Sequence, residues 1–424
     1  MNRRGLRNPW WVVFGAVLGM AVSNGPIMSF SFGVLIKPIA SSLHWTRADV
    51  TAGLAISGFT SALSSPILGR LMDRFGVRPV TMLCVLMFGL CVASVGLMPV
   101  SLDSFILLYA IMGAISSGIA PLPYAKSIAA SFDARRGLAL GVAIAGVGIG
   151  VALVPQYVLF LLGTVGWRGA YVGLGLLHVA IAFPAVVIFL REPVPARRRS
   201  TAIAPTLPGM GLREAMAGGR AFWLIAFAFI FSATALIGIT THIVPILTDA
   251  GISASYATSV LSVSGIALVV GRMSSGWLVD KIFAPIVTAI FFLLPLLGVA
   301  LLGLGAGSAV PFVGAFLLGM GIGGELDIMA FLISRYFGLR AFGLIYGLMT
   351  GLYFLAAHVG PYLIDVVYGM AHGYGWSLIA AATLLAVACV LVLCLGSYRF
   401  PAGSDRTEAE PWRAGEAREV DHAI

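Results

Sequence analysis

Charge is scarce in this 424-residue chain. Asp, Glu, Lys and Arg make up only 10% of it, and acidic residues number 17. Soluble domains carry about 25% charged residues, so a solvated globular fold is excluded. Cysteine is scarce too. Cys84, Cys91, Cys389 and Cys394 all fall in apolar runs with no C-x-x-C pair. They read as small buried or lipid-facing residues and say nothing of redox compartment. Phosphate loops, H-x-x-x-H metal pairs and nucleophile elbows are missing. Neither an enzyme, a cofactor nor a metal is therefore expected.

What the chain has instead is apolar length. It is 59% hydrophobic, with a mean hydropathy of +1.00. Runs of about 20 apolar residues are membrane-span candidates. Twelve occur, at 11–36, 48–68, 79–98, 104–131, 137–163, 169–190, 220–248, 255–279, 284–306, 311–335, 342–367 and 373–397. Only helices or closed barrels satisfy the backbone in lipid, and runs this long argue for helices. The 52 glycines suit close helix packing there. Arg3, Arg4 and Arg7 precede the first run, which is too long for a signal peptide and reads as a retained helix.

The net charge of +9 does not point to nucleic acid, because the basic residues sit in loops between spans. One side carries Arg70, Arg74, Arg78, Arg135, Arg136, Arg191, Arg197 to Arg199, Arg213, Arg220, Lys281, Arg335 and Arg340. The other carries only Lys37, Arg47 and Arg168. By the positive-inside rule both termini are expected in the cytoplasm. The Pro-broken, basic stretch 191–219 reads as a cytoplasmic linker between residues 1–190 and 220–398. The basic triplet in it suits lipid headgroups. The polar tail 399–424 reads as disordered.

The two halves repeat each other. GRLMDRFG at 69–76 ends the second span and SGWLVDKI at 275–282 ends the eighth. Gly69 aligns with Gly276 and Asp73 with Asp280. Arg136, Leu138 and Gly141 are echoed by Arg340, Leu344 and Gly347, and Gly166-Trp167 by Gly375-Trp376. Two six-helix repeats with a site between them are a transporter architecture. The fold expected is an all-α membrane protein of twelve transmembrane helices in two six-helix bundles.

GRLMDRFGVR at 69–78 resembles the signature loop of the major facilitator superfamily, G-x-L-x-D-R-x-G-x-R. That resemblance implies a cytoplasmic gate. Asp73 would face the positive end of the helix dipole at the start of span eleven, supported by Gly69, Arg74, Arg78 and Asp280. Within the superfamily, the chain resembles bacterial relatives of the monocarboxylate transporters and the oxalate/formate antiporter. The likeness lies in FGVLIKPIASSLHWTRAD at 32–49, RRGLALG at 135–141, THIVPILTDAGIS at 241–253, GRMSSGWLVD at 271–280 and GELDIMAFLISRYFGLRAFGLIYG at 324–347. It implies movement of small organic anions across a cytoplasmic (inner) membrane. Three positions depart from those families. Phe30 stands where monocarboxylate transporters carry a helix-one lysine, and Leu268 where they carry a helix-eight Asp. Met349 or Thr350 stands near the antiporter's helix-eleven lysine.

Charges inside spans are the candidates for chemistry, since each costs about 2.5–3.5 kcal/mol or more at the bilayer centre. Arg272 lies about two turns inward of Asp280. By resemblance it is the residue that binds the substrate carboxylate, and a guanidinium holds one through two parallel bonds. The alternative is a structural pair with Glu325, Asp327 or Asp280. Glu325 and Asp327, two residues apart, point roughly 200° from each other on a helix. One is expected in the cavity and one on a neighbouring helix. A carboxyl in low dielectric takes up a proton more readily, which suits proton coupling. The alternative is neutral pairing of both acids with Arg272 and Lys126. Lys126 could also snorkel to headgroups, and the nearby Tyr124 could donate to a carboxylate. Asn24 with Pro26 could line the cavity or hinge span one. His242 and His358 could face the cavity or make a single helix-interface hydrogen bond, and His178 is expected at the periphery. Gln156 and Tyr346 are further cavity candidates.

The expected function is secondary active transport of small monocarboxylates with protons, by alternating access, in a monomer within the bilayer. Phe30 and other apolar side chains would favour an acid less polar than oxalate. The alternatives are an organic-anion exchanger and a non-transporting membrane sensor.

Overall fold

The computed structural model describes residues 8–97, 101–119, 121–132, 136–191, 209–218, 220–304 and 309–400. Most of the expected linker and the tail from 401 lie outside the described residues. The helices are α1 Trp10–Ala21, α2 Phe32–Leu43, α3 Arg47–Phe75, α4 Val77–Leu97, α5 Leu102–Ser116, α6 Pro121–Ser131, α7 Arg136–Phe189, α8 Leu212–Ala217, α9 Arg220–Asp249, α10 Ala254–Val279, α11 Ala284–Leu304, α12 Val310–Phe337, α13 Phe342–Ala371 and α14 Gly375–Leu393.

Local chemistry sets several helix starts. Thr46 and Asp49 form a reciprocal capping box at α3, as Ser101 and Ser104 do at α5. Each satisfies otherwise orphaned amides. The Ser253 hydroxyl accepts from the Tyr256 amide at the start of α10.

The first span is broken rather than continuous. Between α1 and α2 the chain makes a π-helical stretch, Gly25–Phe30. Pro26 has no N–H to give, which loosens the ladder. Nearby polar groups take up the spare carbonyls, as they must in lipid. Ser31 Oγ donates to the carbonyls of Pro26 (2.7 Å) and Ile27 (2.8 Å), and His178 Nδ1 donates to that of Val22 (2.7 Å). The fourth span breaks likewise, at 117–119 between α5 and α6.

Helix α7 holds spans five and six in one element. Straight, its 54 residues would reach about 81 Å, against a hydrocarbon core of about 30 Å. It folds back at Gly166, whose φ of 70° and ψ of 179° leave the helix. A glycine adopts a positive φ without steric cost. Among the described residues eleven stretches are long and apolar enough to cross a membrane, and the one over Leu138–Phe189 is long enough for two. This matches the twelve passes expected.

In the N-terminal half α7 packs on α1 and α4, and α3 on α5. In the C-terminal half α12 packs on α10 and α11, and α9 on α13 and α14. The halves meet through α3 with α13, α7 with α10, and α2 with α9. The described end of the expected linker is ordered on the C-terminal half. The Met210 amide donates to Phe337 O at 2.8 Å, and Glu214 lies 3.7 Å from Arg340.

The two ends of the molecule differ. At the end away from the basic loops, Arg47 of α3 grips Asp249 of α9 through two hydrogen bonds of 2.6 and 3.1 Å. It also donates to the Tyr374 hydroxyl at 2.8 Å and lies 4.2 Å over the Tyr368 ring. Lys37 of α2 joins through an ion pair with Asp249 and a 2.6 Å bond to Thr248 Oγ1. Gln156 of α7 donates to Ser262 of α10 at 3.1 Å. At the basic end, a Cβ added at Gly69, Gly276, Gly343 or Gly347 would meet nothing within 4 Å. The halves are thus latched at one end, while at the other these glycines face open space.

Candidate functional site

Arg272 of α10 reaches towards α12. Its Nε lies 3.2 Å from Asp327 Oδ2 and 3.4 Å from Gly323 O. The side chain is 11% exposed, and its buried Nη1 has no hydrogen-bond partner. Asp327, with 42% of its side chain exposed, remains reachable from solvent. Close backbone packing sets this geometry. A Cβ on Gly323 would run into Leu268 O and sit 2.9 Å from the Arg272 amide, so glycine there lets α10 and α12 touch.

Glu325 turns the other way and is fully buried. Tyr353 of α13 donates to its Oε2 at 2.6 Å, and the Ser232 hydroxyl of α9 donates to Oε1. The expected 200° divergence is what the helix delivers: Asp327 meets α10, and Glu325 meets α9 and α13. Neither acid meets Lys126, so the alternative of a neutral set of four does not form. Lys126 Nζ instead lies 2.7 Å from Asp73. Tyr346 of α13 lies within electrostatic reach of both Asp327 and Arg272.

Other candidates scatter. Phe30 is buried within the apolar cluster built mainly by the C-terminal half, which includes Met349 and Tyr353. It therefore packs across the interface between the halves. Asn24 is half-buried at the head of the π-helical stretch. Tyr124 packs against Gly19 of α1, inside the N-terminal half, and its buried hydroxyl has no partner. His358 packs on Gly58 of α3 and donates Nδ1 to Phe354 O at 2.7 Å, an interface role between halves. His178 is fully buried against Phe88 rather than peripheral, because the broken first span needs its ring nitrogen. His242 lies apart from this cluster, in contact with Asp365.

A profile of the Major Facilitator Superfamily matches residues 12–361. The chain belongs to the major facilitator superfamily. It is 24% identical over 378 residues to the uncharacterized MFS-type transporter YcxA of Bacillus subtilis, covering 87% of this chain and 90% of that one. It is 28% identical over 311 residues to monocarboxylate transporter 11 of Mus musculus, covering 70% of this chain and 65% of the relative. Among solved structures, a mutant of the nucleoside transporter NupG superposes with a TM-score of 0.71 at 15% identity, covering 91% of this chain and 98% of that one. A bacterial homologue of the lysosomal transporter Spinster gives 0.70 at 15% identity, covering 92% and 97%. At such identity these two speak for the fold alone.

The superfamily's signature loop is present but not engaged across the halves. Asp73 is 73% exposed and pairs with Lys126 of its own half, not with the start of α13. Arg74 lies 5.1 Å over the Phe75 ring. The Arg78 guanidinium donates to Val187 O and ties α4 to the end of α7. Asp280 is exposed at the end of α10. The residues that do join the halves, Lys37, Arg47 and Asp249, drew attention in the sequence only as orientation signals or not at all. Ser232 and Tyr353 gave no signal, because an isolated hydroxyl in an apolar run is common.

Proposed function

We propose that this transporter moves small monocarboxylates together with protons, by alternating access. The observation that carries the reading is Arg272. It is a permanent cation held in a span, loosely matched by a half-exposed Asp327, with a buried guanidinium nitrogen unused. A substrate carboxylate would take that nitrogen and displace Asp327 from the fork. Glu325 supplies the proton site. It is buried with two hydroxyl donors and without a cation, and burying a bare carboxylate is costly. A proton removes that cost, and one hydroxyl then turns to accept. Phe30, Met349 and Tyr353 would face the organic part of the substrate. Relatives named monocarboxylate transporters support the substrate class.

The basic end is read as cytoplasmic by the positive-inside rule, and a bacterial relative supports a place in the inner membrane; the protein would then be open inward and latched outward, with Asp73 as the inner gate. The experiment is uptake of a panel of labelled carboxylates into proteoliposomes, with and without an imposed pH gradient. Acid-stimulated uptake abolished by an uncoupler is expected. Counterflow indifferent to pH would make it an exchanger instead, and ligand binding with no flux would make it a sensor.

A further inference from the structure

A cavity of about 380 Å³ opens at the basic end of the C-terminal half, between the start of α9, the end of α12 and the stretch that follows α14. Arg220, Leu224, Tyr336, Cys394, Tyr398 and Arg399 are among its walls. Packed groups hold these walls in place. The Tyr336 hydroxyl donates to Gly396 O, and the Phe400 amide donates to Arg335 O at 3.0 Å. The Tyr398 hydroxyl accepts from the Ala284 amide at 2.7 Å, and its ring lies 5.6 Å from that of Tyr336. The stretch after α14 is therefore fastened to α11 and α12, and the cavity is part of the fold.

Its charge is unbalanced. No acidic residue lines it. Neither Arg220 nor Arg399 forms an ion pair among the described residues. Glu214 of the adjoining α8 faces Arg340 instead. Arg399 makes only long contacts, Nη1 to Met210 Sδ at 3.6 Å and Nη2 to Gly218 O at 3.4 Å. An N–H to oxygen bond is ordinarily about 2.9 Å, so a better acceptor would displace them. The Tyr398 hydroxyl is bonded only as an acceptor among the described residues, which leaves its hydrogen to give.

The cavity also lies at the edge of the membrane. Arg220 is the first residue of α9, and Trp223, one turn into the span, is exposed, as aromatic residues are at a membrane–water interface. Leu393, the last residue of α14, is exposed too and directly precedes Cys394. We propose that this cavity binds the phosphate of an anionic phospholipid headgroup in the leaflet at the basic end. A guanidinium grips a phosphate through two parallel bonds. Two unpaired arginines favour a net negative headgroup over a zwitterion, whose ammonium they repel. The inference needs neither the cargo of the proposed transport nor the residues assigned to it.

Native mass spectrometry of the delipidated full chain tests this, with phosphatidylglycerol or phosphatidylcholine of the same acyl chains added. One phosphatidylglycerol should be retained where phosphatidylcholine is lost. Arg220→Gln and Arg399→Gln should each weaken its binding about fivefold, and the double variant about thirtyfold. Arg70→Gln, which removes an exposed cation at the same end of the N-terminal half, should leave it unchanged. Inorganic phosphate at the same concentration should not displace it. In nanodiscs, phosphatidylglycerol should slow maleimide labelling of Cys394, which is exposed in the cavity wall, and the double variant should lose that protection. The wild-type labelling comparison needs no variant, so it decides the matter if the double variant does not fold. Equal retention of the two lipids, equal labelling of Cys394 in both, or a loss as great in Arg70→Gln overturns the proposal. So does displacement by inorganic phosphate, which would assign the cavity to a free anion.

Discussion

Tyr353 and Glu325 meet at 2.6 Å, the phenol of α13 donating to the carboxyl of α12. The bond satisfies a carboxyl that has no access to water. Replacing Tyr353 by Phe leaves it one donor short, at a cost of about 1 kcal/mol, so the variant should melt at a lower temperature in detergent and take up carboxylate more slowly. Glu325→Gln should abolish the pH dependence altogether. Uptake by Glu325→Gln that still follows pH as the wild type does would remove this residue from coupling.

Arg272 and Asp327 make a contrasting pair. Arg272→Ala should lower carboxylate uptake roughly ten- to hundredfold, from about 1.5–3 kcal/mol for a charged hydrogen bond. Arg272→Lys should recover only part of it, since an ammonium cannot present the two-pronged fork. Asp327→Asn frees the guanidinium from a competitor that solvent already screens. Carboxylate binding should then tighten by at most about fivefold, within the range of partly exposed pairs. Equilibrium binding and initial uptake rates, at matched protein levels, separate the two effects.

The latch predicts a conformational shift. Arg47→Ala removes two bonds to Asp249, one to Tyr374 and the contact with Tyr368. The latched state should lose about 1–3 kcal/mol, raising the unlatched population between about fivefold and about 150-fold. Spin-label distances between residues 42 and 255 should lengthen. Unchanged distances would show that apolar packing, not this cluster, closes that end.

Gly323 permits the backbone contact that carries Arg272. Gly323→Ala places a methyl against Leu268 O, and overpacking of this kind costs about 1–3 kcal/mol. A lower melting temperature in detergent, with uptake reduced more than expression, is expected.

Much of this was legible in the chain. Apolar length alone gave the twelve passes. The two-residue spacing of Glu325 and Asp327 foretold that they part, since 100° per residue dictates it. Partners were not legible. Asp365 drew no notice because what makes it unusual is His242, a neighbour only after α9 and α13 pack. Asp73 was read as bridging the halves, yet it holds Lys126. Nothing in the loop's own residues chooses between those partners. Pro26 announced a bend but not a π-helical stretch, which depends on Ser31 and His178 accommodating the displaced carbonyls.

The central claim is that carboxylate and proton move together through Arg272. The most direct test is an inwardly directed carboxylate gradient imposed on proteoliposomes holding a pH-sensitive dye, corrected for passive acid permeation in protein-free vesicles. The account predicts lumenal acidification that keeps pace with labelled carboxylate entry, and neither in Arg272→Ala. Protein-dependent entry without acidification, or undiminished flux in Arg272→Ala, would contradict it.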